Sequence, residues 1–215
     1  MNIPYPRFAG LAALALAVVS VALNGSVPGN GSSGAQAAAW FDDQPLRHVL
    51  ATWAAGVASL LLLVFLREVE QRLGHPRGGI LPKISSSLAT VVTALLLLGV
   101  APVMAGAMTA RDRNQPLPSA AAEVFLHLGI GIYLLAVIAL GGYLLATGTL
   151  MLRASAPRLL GLASIGGGAI AAIPVFGFLG LVAVLPLWIL GATGWLMVGR
   201  TSDTQPAACG ADERI

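Results

Sequence analysis

Glu123 and His127 stand four positions apart, the spacing that stacks two side chains on one face of a helix. There a carboxylate and an imidazole can share a proton or begin a metal site. A second set flanks two apolar runs: Trp40, Phe41, Asp42 and Asp43 precede one, and Arg111, Asp112 and Arg113 follow another. Asp42 or Asp43 pairing with Arg111 or Arg113 would clip two loops together, though an exposed pair of that kind contributes only about 0 to 1 kcal/mol. The sharper expectation is a ligand site built from Trp40, Asp42, Asp43, Arg111 and Arg113 beside Glu123. Four acids (Asp42, Asp43, Asp112, Glu123) face three bases (Arg47, Arg111, Arg113) there, so the ligand would be small and polar or zwitterionic. A third set, REVEQRLGHPRGGILPK, reads as a helix continuing past an apolar run through Arg67, Glu68, Glu70 and Arg72, ended by Gly74 and Pro76. Its expected role is a solvated helix end whose bases touch anionic headgroups.

Stronger chemical signatures are absent. The chain has no G-x-S-x-G elbow, no H-E-x-x-H, no C-x-x-C and no P-loop, and Gly166 to Gly168 lacks the Lys and Ser/Thr that a phosphate cradle needs. The one cysteine, Cys209, cannot build a disulfide or a cysteine metal cage within the chain. No cofactor and no metal site are therefore expected. The basic residues never cluster beyond pairs and no patch interleaves them with aromatics, so nucleic acid is not the expected partner.

The elements that must position these residues follow from where charge is missing. Of 215 residues, 57% are hydrophobic and 10% charged, against about 25% charged in a soluble domain. The composition demands a lipid bilayer as solvent. A helix needs roughly 20 apolar residues to cross a hydrocarbon core about 30 Å thick. The uncharged runs supply six such stretches, at 8–23, 49–66, 85–107, 126–150, 159–175 and 179–198. Pro174, Gly177 and Gly180 divide the last 41-residue run in two. The fold class is thus all-α, a polytopic transmembrane helical bundle over residues 1–200 with a flexible tail at 201–215. Between the first two spans, 24–34 (NGSVPGNGSSG) reads as a flexible loop.

Short cytoplasmic loops carry an excess of Lys and Arg. With both termini inside, nine basic residues (Arg7, Arg67, Arg72, Arg77, Lys83, Arg153, Arg158, Arg200, Arg214) fall on the inner side and three (Arg47, Arg111, Arg113) on the outer. A five-span reading gives the weaker split of seven to five. Ala35-Gln36-Ala37 resembles a signal-cleavage site, but it stands too far beyond the first apolar run. Removal there would leave the downstream orientation unchanged.

Lipid offers little hydrophobic push between helices, so small residues that let backbones approach must supply much of the packing. Gly161, Ser164, Gly168 and Ala172 form such a face on the fifth span. It is expected to pack inside the bundle, or to serve as the seam of a homo-oligomer or of a contact with another membrane protein. The R-F-A-G-L run (Arg7 to Leu11), a G-Y-L-L ending (Gly142 to Leu145) and A-P-R-L-L-G-L (Ala156 to Leu162) are similar to an uncharacterised family of bacterial six-helix membrane proteins. That resemblance implies a six-helix bundle in a bacterial plasma membrane and brings no catalytic residues. The expected function is a non-enzymatic bundle acting as a partner, sensory or small permeation unit. The alternative is a membrane-embedded enzyme acting on a lipid or amphipathic substrate through Glu123 and His127.

Overall fold

A computed structural model describes residues 5–29, 31–73, 79–112, 117–154, 156–173 and 183–198. Helices account for nearly all of them: α1 (Tyr5–Asn24), α2 (Gly34–Asp43), α3 (Pro45–Arg72), α4 (Ile80–Asp112), α5 (Ser119–Arg153), α6 (Arg158–Ala172) and α7 (Leu185–Val198). The described residues contain no strand.

Proline marks several helix starts, because its missing N–H falls where a helix has no use for one. Pro45 occupies the first turn of α3, and Pro118 and Pro157 stand at the N-caps of α5 and α6. At the other end of α6, Ile173 turns extended (φ −88°, ψ 115°), as a residue that precedes proline does when the ring behind it blocks the helical conformation. Pro102 lies inside α4 and is buried.

Among the described residues three helices are long and apolar enough to cross a membrane: α3, α4 and α5, of 28, 33 and 35 residues. Each exceeds the roughly 20 residues that a crossing takes, so the expected spans at 49–66, 85–107 and 126–150 are the middles of longer rods. The solvent for those rods is oil. On α3, Leu50, Trp53, Val57, Leu60 and Val64 repeat at helical spacing on the outward face, and each is 40% to 61% exposed. A stripe of that length would be untenable in water. The apolar part of α1 and the whole of α6 and α7 are shorter, and α6 and α7 have only 15 and 14 residues. At 1.5 Å per residue the described parts of α6 and α7 reach about 22 Å. Of the expected spans at 159–175 and 179–198, the structure describes 159–173 and 183–198, and the proposed break at Pro174, Gly177 and Gly180 lies outside the described residues, as does the tail.

Sequence neighbours pack side by side and alternate in direction: α1 on α3, α3 on α4, α4 on α5 and α5 on α6, with α7 closing the ring between α6 and α1. The core runs through the ring's middle. Phe65 of α3 and Tyr143 of α5, both with no exposure, meet Trp188 of α7 edge-on at centroid distances of 6.0 and 6.1 Å. The indole Nε1 donates to Ser164 Oγ of α6 at 2.7 Å, and Tyr143 Oη donates to the Leu66 carbonyl. The bundle axis is consequently filled. The small-residue face of α6 is used within the chain: Gly161 lies against Gly148 and Gly168 against Gly141 of α5, with backbone facing backbone.

The loop expected at 24–34 ends earlier than composition suggested, because Ser33 and Gln36 form a capping box and start α2. That helix lies across one end of the ring, chiefly on α5, with Ala37, Ala38 and Phe41 turned inward.

Candidate functional site

Polar chemistry gathers at the two ends of the bundle and is nearly absent between them. At the α2 end, docking depends on glycine. A Cβ on Gly34 would stand 2.6 Å from the Ser119 carbonyl oxygen, and one on Gly106 would strike the Phe41 ring at 2.7 Å. With Phe41 seated, Asp42 projects toward the α4–α5 connection, and its carboxylate accepts from the Leu117 backbone N–H at 3.2 and 3.4 Å. The two connections are thus clipped together through a main-chain donor. Arg111 is exposed at the end of α4 and Arg113 lies outside the described residues.

Trp40 and Asp43 face the other way, toward the α1–α2 turn. The helix end at Asn24 exposes carbonyls that need donors. Arg47 gives one N–H to the Ala22 carbonyl at 2.7 Å and another to Gln44 Oε1 at 3.2 Å, and Trp40 Nε1 donates to the Asn24 carbonyl at 3.3 Å. Buried beneath them is His48, in the first turn of α3 and ahead of the apolar stretch that starts at Val49. Its Nε2 lies 2.8 Å from the Trp40 carbonyl, Nδ1 lies 3.2 Å from the Asn24 side-chain amide, and its ring sits 4.0 Å from the Trp40 ring. Burial lowers the His48 pKa below 6.5. The Trp40 carbonyl opposes this, Arg47 adds to it and Asp43 works against it. The Trp40 carbonyl and the Asn24 side-chain oxygen are both acceptors, and a neutral ring donates to only one of them. Asn24, Trp40, Asp43, Gln44, Arg47 and His48 line a cavity of about 140 Å³.

Glu123 and His127 do share a helix face, with 3.9 Å between Oε1 and Nδ1. Their side chains are 50% and 40% exposed, and neither enters the cavity. Among the described residues no three His, Cys, Asp or Glu side chains converge to hold a metal. A half-exposed pair without a third group has nothing to orient it for proton transfer.

The opposite end holds a network where a solvated helix end is expected. Glu70 is 3% exposed. Its carboxylate accepts from Arg67 at 3.1 Å and from Ser85 Oγ at 3.0 Å, and Ser85 shares a hydrogen bond with Thr147 at 3.0 Å. Arg67 also donates to Ser86 Oγ and, at 2.8 Å, to Thr90 Oγ1. One carboxylate thereby ties α3, α4 and α5. The reading of 67–72 as wholly solvated thus fails at Glu70, and the signal was present in the sequence. Glu70 falls four after Leu66 and eight after Leu62, on the stripe that the buried residues of α3 follow. His48 gave no such signal, because nothing in the spacing shows that α2 folds back over it.

Comparison with known proteins finds no matching family model, no matching curated protein and no matching solved structure, so the likeness to a six-helix bacterial family rests on the short motifs in 7–11, 142–145 and 156–162 alone.

Proposed function

We propose that this chain is a six-span membrane protein with both termini in the cytoplasm, working as a non-enzymatic sensory or accessory subunit with its built polar cap on the outer face. The observation that carries the reading is the contrast between a filled axis and a hollow cap. Phe65, Tyr143 and Trp188 close the centre of the ring, which weighs against a permeation path along it, whereas the α2 end holds a cavity with polar walls. Six antiparallel helices return the chain to the side on which it began. The nine-to-three division of basic residues then selects the cytoplasm for that side. The Glu123–His127 pair supplies no reason to prefer an enzyme, since both side chains open outward from the bundle.

The native Cys209 reports the compartment of the C-terminal tail. An impermeant maleimide added to intact cells should leave it unlabelled and should label it after lysis. In a Cys209→Ser background, Ser26→Cys should react in intact cells, because Ser26 borders the cavity. Labelling of Cys209 in intact cells, or protection of position 26, overturns the topology. Ion flux through reconstituted vesicles above that of protein-free vesicles overturns the non-permeating role.

A further inference from the structure

We propose that the cavity between the α1–α2 turn and the start of α3 binds a small zwitterion, a molecule carrying an ammonium and a carboxylate a few bonds apart. The inference names the ligand of the cap described above and rests on that reading for its outward orientation only. The site offers opposite charges that do not neutralise each other. Asp43 and Arg47 line one space of about 140 Å³, yet the ion pairs among the described residues are Arg67–Glu70 and His127–Glu123, and Asp43 belongs to neither. Arg47 spends one N–H on Ala22 and one on Gln44. A guanidinium carries five donors, so the remainder are free for a carboxylate.

Trp40 adds the second feature. Its indole is held by its own Nε1 bond to the Asn24 carbonyl and by the His48 ring tilted against it at 4.0 Å, and it stands in the same wall as Asp43. A carboxylate and an indole together form an ammonium site, since a cation gains from both the charge and the ring's quadrupole. A simple anion would lie against Asp43 without compensation, and a simple cation would lie against Arg47. Only a ligand bearing both charges meets both walls. His48 and Asn24 act as positioning residues, fixing Trp40 through its carbonyl and the turn through the amide.

The test uses the full chain in dodecyl maltoside micelles, whose uncharged headgroups do not compete. Glycine, β-alanine and glycine betaine are titrated by calorimetry, with acetate and methylammonium as single-charge probes. At least one zwitterion should bind with one-to-one stoichiometry, and about tenfold or more tighter than either probe, the ratio that one lost charge-assisted contact produces. Asp43→Asn is the clean variant, because the Asp43 carboxylate is exposed and holds no other residue. It should weaken the zwitterion by a similar factor while acetate binding is retained or improved. Arg47→Gln should reverse that preference toward methylammonium, with a folded cap confirmed by unchanged hydrogen exchange across α2. Equal affinity for zwitterion and acetate, or zwitterion binding indifferent to Asp43→Asn, overturns the proposal. Micelles have no sides, so these outcomes stand apart from the topology test: protected position 26 in cells would refute the outward cap and leave a binding result in micelles intact.

Discussion

Alanine in place of glycine should act with opposite sign at Gly141 and Gly131, two positions ten residues apart on α5. A Cβ on Gly141 would lie 2.8 Å from the Gly168 carbonyl oxygen and 2.9 Å from the Ala172 nitrogen. Both neighbours are backbone, and an ordinary carbon-to-oxygen contact is about 3.3 Å. Alanine therefore has to push α6 away by about half an ångström, and overpacking of this kind costs about 1 to 3 kcal/mol. Gly131 has nothing within 4 Å of its would-be Cβ. Alanine there meets no neighbour and gains up to about 1 kcal/mol of helix propensity. The propensity gain is common to both positions, so the two variants should differ by the overpacking cost, about 1 to 3 kcal/mol. Unfolding in mixed micelles by titrated sodium dodecyl sulfate, followed by tryptophan fluorescence, reads the difference. Gly141→Ala combined with Gly168→Ala should cost less than the sum of the two, because one displacement of α6 relieves both clashes. Equal stability of Gly141→Ala and Gly131→Ala would refute the argument, as would strict additivity of the pair.

Three further outcomes follow from the polar contacts. Ser164→Ala strands Trp188 Nε1 in a site where the indole is 4% exposed, so stability should fall by about 1 to 3 kcal/mol with a change in tryptophan emission; no change in either would show that the bond contributes nothing. Glu70→Ala should destabilise more than Glu70→Gln, since glutamine still accepts from Ser85; the loss belongs near the lower end of about 1 to 3 kcal/mol, because Arg67 is 38% exposed and can turn to water. For His48, burial holds the folded pKa below the unfolded value of 6.5, so the folded state binds fewer protons. Stability of the α1–α2–α3 corner is then full above about pH 6.5 and falls as the pH drops from there toward the folded pKa. The protection factor of 40–48, exchange corrected for the intrinsic slowing of amide exchange by acid, should fall between pH 7.5 and 5.5, and a rise on acidification would contradict the sign.

Much of the architecture was legible because a bilayer imposes it residue by residue. A charge-free run of 20 needs no knowledge of its neighbours to be read, and Val49 to Leu66 announces α3 wherever the rest of the chain lies. Ser33 with Gln36 carried a capping signal that the glycine-rich composition around it obscured. The small-residue face of α6 was legible as a contact surface, though not as one already occupied by Gly141 and Gly148.

The chemistry followed the opposite rule. Asp42, Glu70 and His48 each take their role from a group distant in sequence: the Leu117 N–H, Ser85 with Thr147 behind it, and the Asn24 amide. A hydrogen bond is a short-range, directional interaction that depends on where two helices cross, and no local pattern encodes that crossing. Lipid solvation, which acts on each residue through its own transfer free energy, was fixed by the amino acids in order; the pairing of polar groups waited on the ring closing.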